Sequence, residues 1–455
     1  MARSVGIVAG GGVLALMLGV LAGWQPVALV ALLLAVLLGW GLWTPERLNY
    51  TLLAVLFFVP ATASLGYPVE PVWVILLAAV LITLYGRLQR YHPSTPLLSS
   101  AMAGLLLPAV CLLAALANWS RPQDLVSALV PLVSYGIITW HLVDEARRDP
   151  DGVRRLARAV AWFGVPLAIL SIYQRVSGTW PVLDQFAIDE GFTASAGPGR
   201  SVGTMGHPIV YGTYCMLVIC IALTMRGRLW QIPFAAGAIG LLLSGSRSAW
   251  IGTACALAIW YLALERKFTR RGVLTALSFV AVGGGLVFFG PKPIQDAVTI
   301  LRDRLTNLTG SSSATARYRR TGEAWSGVWH DLGTVLSGHG PEAHVRFFQQ
   351  FSVGDGLAPT FDNTYLTLWY DFGLVALLVL VALMVLPLFR FRSLAARMII
   401  LGFAVQIWFF DVYLWPAAAA TLILAAGIAV ADSAAPKPTT PASPGPHPSH
   451  LVLLR

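Results

Sequence analysis

The stretch "APTFDNTYLTLWYDFGLVALL", Ala358 to Leu378, decides the fold. It turns purely aliphatic at Leu374 and reads as a long apolar helix of the kind that crosses a bilayer. Yet it opens on an acid–amide pair, Asp362-Asn363, and carries Tyr365, Trp369, Tyr370 and Asp371 before the aliphatic run. A spanning helix needs only apolar residues. This one begins as though something polar docks at its mouth.

The rest of the chain repeats the apolar theme. Of 455 residues, 57% are hydrophobic and only 11% are charged, and the mean hydropathy is +0.71. A soluble domain carries about 25% charged residues. The sequence therefore predicts an all-α, polytopic helical bundle. Windows of about 17–25 apolar residues give roughly twelve to fourteen spans. They centre near residues 14, 35, 58, 80, 108, 133, 166, 217, 237, 256, 282, 376, 403 and 424. The first, Val5 to Trp24, is too long for a signal-peptide core and reads as a retained span. Cys111, Cys215, Cys220 and Cys255 fall inside spans as small core side chains, with no disulfide or metal spacing. The net charge of +10 is no nucleic-acid signal, because much of it sits in short loops that set topology.

Those basic loops are Arg87/Arg90, Arg147 to Arg158, Arg226/Arg228, Arg266 to Arg271 and Arg390 to Arg397. The positive-inside rule makes them cytoplasmic, with both termini inside. The loops near 176–206, 244–248 and 291–361 then lie outside. The chain divides into spans over 1–290, a large partly helical outer loop over 291–361, spans over 362–432, and a Pro/Ser-rich tail over 433–455 that is expected to be disordered. Within the large loop, Tyr318, Trp325, Trp329 and Leu332 fall at near-helical spacing. They predict an amphipathic helix on the membrane face or over a cavity.

Charged groups gather on the same outer side. Arg200 lies in "GPGRSVGTMGHP", Arg247 in the tight turn "SGSRSAW", and Arg317, Arg319 and Arg320 in the large loop. An arginine near a span is costly, and its planar fork suits phosphate. With helix starts near Pro208 and Ser248, these arginines can form a pyrophosphate site; each can equally cap a helix, pair with a loop acid or reach lipid headgroups. His339 stands between glycines in "LSGHGPEAH", and His344 and Asp362 follow. A histidine titrates near neutrality and can take a proton from a hydroxyl. Asp362 at a helix start can also be an ordinary cap. Asp149 and Asp151 in "DPD" imitate a metal-holding acid pair, but they lie in the arginine-rich inner loop.

Five stretches carry a family resemblance: "GRSVGTMGHP" (Gly199–Pro208), "SGSRSAW" (Ser244–Trp250), the Arg317–Trp325 segment, "LSGHGPE" (Leu336–Glu342) and "DNTYLTLWYDFG" (Asp362–Gly373). In this order they resemble the bacterial superfamily of O-antigen ligases, O-antigen polymerases and protein O-oligosaccharyltransferases, and most of all the ligases. The resemblance implies a GT-C-like bundle of the bacterial inner membrane whose site faces the periplasm. It implies a metal-independent glycosyltransferase without a cofactor. The donor would be an undecaprenyl-pyrophosphate-linked glycan and the acceptor the lipid A–core. Arg200, Arg247 and one or more of Arg317, Arg319 and Arg320 would hold the pyrophosphate. Asn363, Tyr365 and Trp369 would line the acceptor side. The family's last motif begins with histidine, where this chain has Asp362, so the base is either His339 or Asp362. His339 is favoured because an unperturbed histidine titrates nearer neutrality. Polymerases of the superfamily often place a glycine beyond an arginine after ten intervening residues; none of Arg175, Arg200, Arg317, Arg319 or Arg320 has one. A flippase of lipid-linked sugars would need charges along a mid-membrane path.

Overall fold

The computed structural model describes residues 45–58, 71–89, 97–118, 122–180, 200–263, 312–351 and 360–434, apart from 226, 228, 330, 413 and 414. These form fourteen helices, and no strand occurs among the described residues. In chain order they are α1 (Pro45–Phe58), α2 (Pro71–Gln89), α3 (Leu97–Ala117), α4 (Pro122–Arg148), α5 (Pro150–Ser177), α6 (Pro208–Thr224), α7 (Gln231–Ser244) and α8 (Arg247–Ala263). Three short helices follow, α9 (Ser312–Val328), α10 (Leu332–Ser337) and α11 (Ala343–Phe351). The last three are α12 (Thr364–Arg390), α13 (Leu394–Gln406) and α14 (Pro416–Ala434). Four segments are long and apolar enough to cross a membrane: Asp124–Arg148, Pro150–Ser177, Thr364–Arg390 and Pro416–Ala434. Shorter apolar helices surround them, and the protein is an all-α, multi-pass membrane protein. Eleven of the expected span centres fall on these helices; those near 14, 35 and 282 lie outside the described residues, as do the segment 291–311 and the tail.

Small residues set the close contacts. A Cβ on Gly104 in α3 would come closer than 3.0 Å to the Gly136 carbonyl in α4, and one on Gly252 in α8 would do the same at Gly402 in α13. In lipid no hydrophobic effect drives helices together, so van der Waals contact between bare backbones takes its place. Polar side chains add internal bonds: the Tyr214 hydroxyl donates to the Val160 carbonyl at 2.6 Å, and Ser171 meets the Tyr211 hydroxyl at 2.6 Å.

Contacts at the two ends fix the alternation of the helices. At one end Arg87 of α2 pairs with Asp144 of α4 and lies 3.5 Å over the Trp140 ring. There too Arg154 of α5 bonds Asp432 of α14, which accepts from Ser393 ahead of α13. Asp149 caps α5 by accepting from Gly152 N–H at 2.8 Å and pairs with Arg155, so the "DPD" acids serve the helix start. The opposite end gathers the start of α4, the end of α5, the starts of α6, α8, α12 and α14, and helices α9 to α11.

Candidate active site

Helix α12 is two helices. Gly373 has φ 83° and ψ 175° inside it, a conformation open essentially to glycine alone. The continuous helix expected from Asp362 onward is therefore corrected to a half-helix over 364–372 and an aliphatic helix from Leu374. The break strands the last carbonyls of the first half, which have no partner one turn on. The Gly-His-Gly turn supplies it: His339 N–H donates to the Tyr370 carbonyl at 2.8 Å and Gly340 N–H to the Asp371 carbonyl at 3.0 Å. Three glycines make room for this. A Cβ on Gly373 would strike the Leu336 carbonyl, one on Gly338 the Asp371 carbonyl, and one on Gly340 the Asn118 carbonyl, each closer than 3.0 Å. Asn118 Nδ2 also donates to the Ser337 carbonyl at 2.9 Å and ties the turn to the end of α3.

The turn presents His339. Its ring stacks on Tyr370 with centroids 4.4 Å apart, and Nε2 lies 3.3 Å from the Gly327 carbonyl of α9. A carbonyl only accepts, so Nε2 donates here, and in the neutral ring Nδ1 is then the nitrogen with the lone pair. Five residues on, His344 does something different. It is 5% exposed and bonds Asp371, which is 2% exposed, through Nδ1 at 2.6 Å, while its backbone N–H donates to the same carboxylate at 2.9 Å. Burial lowers the His344 pKa, but the charge and hydrogen bond of Asp371, with Asp411 and Glu342 behind them, outweigh burial and raise it to about 9. The buried pair locks α11 to the half-helix. Burial also pushes the neighbouring Glu342 carboxyl upward. Arg346 pairs with Asp124 at the start of α4.

Asn363, not Asp362, caps the half-helix: its side chain accepts from Leu366 N–H at 3.1 Å. Asp362 precedes it, half-buried, with φ 54°. The loop 407–412 braces this mouth. Thr364 N–H donates to the Ile407 carbonyl, the Thr364 hydroxyl to the Phe410 carbonyl at 2.8 Å, and the Thr367 hydroxyl to Asp411 at 2.6 Å. Tyr365 turns toward α13 and donates to the Ala404 carbonyl. Trp369 is 7% exposed, donates to the Val335 carbonyl, and is covered edge-to-face by Trp325 and Trp329, both at 5.3 Å. The open aromatic faces here belong to Trp325 and Trp329. Helix α9 ends at Val328, so Leu332 opens a separate helix and does not continue the α9 face.

Arg200 and Arg247 flank one turn. Gly245, at φ 58°, ends α7, and Arg247 opens α8, one residue before the expected start. Ser201 N–H donates to the Leu243 carbonyl and Arg200 Nε to the Ser244 carbonyl at 3.0 Å. Gln174 of α5 holds the segment behind Arg200, accepting from Val202 and Gly203 N–H and donating to the Gly203 carbonyl. His207 caps α6 through Nδ1 and stacks on Phe410 at 5.5 Å and against Trp415 at 5.0 Å. The Phe410 carbonyl accepts from Thr364, so the segment that runs from Arg200 to His207 and the mouth of α12 meet at Phe410. Arg319 stands apart: its side chain is 64% exposed and lies 3.8 Å from Glu323. The side chains of Arg317 and Arg320 lie outside the described residues.

Residues 232–381 match the O-antigen ligase family. The match takes in α7 to α11 and the broken start of α12, with Arg247, His339, Asp362 and Gly373; Arg200 lies just ahead of it. No curated protein matches the chain. That stretch, about a third of the chain, is what is similar to O-antigen ligases. Sequence reasoning did not find the His344–Asp371 pair or the Thr367–Asp411 bond. The spacing of Thr364 and Thr367 on one helical face was the available signal for the second; nothing local marked the first.

Proposed function

We propose that the protein is an O-antigen ligase. It takes a glycan from undecaprenyl pyrophosphate at the periplasmic face of a bacterial inner membrane and joins it to the lipid A–core. The observation that supports this is a link between two motifs: His207, at the end of the segment that begins with Arg200, stacks on Phe410, whose carbonyl accepts from Thr364 beside Asp362. The arginines neutralise the pyrophosphate as charge builds on the leaving group; fixed donors aimed at such charge do most where water is excluded. His339 Nδ1, free because Nε2 is held by Gly327, takes the proton of the acceptor hydroxyl. That oxygen attacks the anomeric carbon with inversion, and no metal or cofactor enters the step. Asp362 is the alternative base. His344 is ion-paired and buried, so it positions α11 and does not touch substrate. Polymerase action uses the same donor with a glycan acceptor, and the arginine–glycine spacing of polymerases is missing at Arg175, Arg200, Arg317, Arg319 and Arg320.

The test is expression in a host that makes lipid-linked O-antigen but attaches none. Ladder-modified lipopolysaccharide supports ligation, and loss of the ladder in His339→Ala or Asp362→Ala identifies the base. Full activity of both variants would sink the mechanism.

A further inference from the structure

Helices α9 and α10 leave four large apolar side chains open. Trp325 is 50% exposed, Trp329 54%, Leu332 75% and Leu336 46%. The same segment is well packed elsewhere: Ala324 and Val328 are buried against the half-helix of α12. At about 100° per residue, the two indoles project roughly a quarter turn from that packed side. Arg319 and Glu323, exposed and 3.8 Å apart, lie about a third of a turn further round. Helix α9 therefore carries a packed, an aromatic and a charged face in succession.

The aromatic face is braced. Trp325 and Trp329 meet edge-to-face at 5.8 Å and both rest on Trp369. Its level along the bundle follows from the helix break. The Leu336 carbonyl fills the space beside Gly373, and just beyond it α12 begins to expose Val375 and Leu378, on a helix long and apolar enough to span. The open patch thus lies at the level of the break, next to the start of that apolar helix.

We propose that Trp325, Trp329, Leu332 and Leu336 are seated in the interfacial layer of the bilayer, with lipid as their partner. The indoles sit at the boundary of headgroups and acyl chains, as aromatic side chains do at membrane interfaces; the leucines dip below them, and Arg319 and Glu323 stay in water. An amphipathic helix lying in the interface has this division of faces. A glycan would stack on the indoles but gain nothing from two exposed leucines, which decides between these occupants. The loop that carries His339 is then fixed on one side by α12 and on the other by lipid.

The test uses the full-length protein in nanodiscs of phosphatidylethanolamine and phosphatidylglycerol. Nitroxide labels are attached to Trp329→Cys, Leu332→Cys and Arg319→Cys in turn, with Cys255→Ser because the other three cysteines are buried. Labels at 329 and 332 should collide more with oxygen than with a water-soluble nickel chelate, and the label at 319 should do the reverse. Aqueous behaviour at 329 and 332 overturns the proposal, and protection of those labels by added O-polysaccharide would mark a glycan platform instead. Should a cysteine variant misfold, a Trp325→Phe/Trp329→Phe protein gives the second reading. Lipid spin-labelled near the headgroup should quench its fluorescence less than that of the unaltered protein; equal quenching overturns the proposal. Both readouts measure lipid contact and not transfer, so they stand or fall apart from the ligase reading.

Discussion

Gly373→Ala is the sharpest perturbation of the site's framework. An alanine in this backbone conformation costs about 1–3 kcal/mol. Its methyl would also strike the Leu336 carbonyl and the Ser337 nitrogen closer than 3.0 Å, so the Gly338–Gly340 turn has to withdraw. Withdrawal breaks the His339–Tyr370 and Gly340–Asp371 backbone bonds, worth about 0.5–1.5 kcal/mol each. Together this comes to roughly 2–6 kcal/mol, a large share of a typical folded margin of about 5–15 kcal/mol. Gly178→Ala is the control: it has a positive φ, 68°, but open space around the added carbon, so it carries backbone strain alone. Melting of the purified protein in detergent, followed by size-exclusion fluorescence, should drop by several degrees more for Gly373→Ala than for Gly178→Ala. Ligation should fall at least tenfold, because His339 moves with the turn. Equal melting of the two variants, or unaltered ligation in Gly373→Ala, would refute the reasoning.

Other perturbations reach the remaining parts. The folded-state pKa of His344 lies above that of a free histidine, so the Asp371 pair stabilises fully below about pH 6.5 and is lost as pH rises through about 9; melting temperature should fall across that window and lose this dependence in His344→Gln. That variant leaves Asp371 buried without its partner and should cost about 3–5 kcal/mol in a denaturation titration. Arg247→Ala should lower the transfer rate about 100–1,000-fold, as losing a fixed donor to developing charge does, with little change in melting; Arg247→Lys should restore only part of it, lacking the two-pronged geometry. Trp369→Ala removes the ring beneath Trp325 and Trp329 and should destabilise by about 3–5 kcal/mol, read as protease sensitivity of the 312–351 segment.

Apolar run length was enough to place helices at eleven of the fourteen expected centres, because lipid demands it of each helix separately. The grouping of Arg200, Arg247, His339 and Asp362 at one end was also legible, since arginines away from the topology-setting loops and glycine-flanked histidines are costly or rare unless used. The break at Gly373 was not. A lone glycine in an apolar helix can serve packing, flexibility or a kink, and what selects the kink is the turn at 338–340, more than thirty residues upstream. Trp369 misled for the same reason: an aromatic near a polar mouth can face a ligand or fill a core, and only α9 folding over it decides. The His344–Asp371 pair depends on a fold that brings α11 against the half-helix, which no local pattern encodes.

The central claim is that glycan leaves the carrier lipid for the lipid A–core. It is tested most directly with purified protein in proteoliposomes, supplied with radiolabelled lipid-linked O-antigen, rough lipopolysaccharide and a chelator. The account predicts label transferred to lipopolysaccharide as a ladder, with undecaprenyl pyrophosphate released in step. Label that stays on the carrier lipid as longer glycan would contradict it.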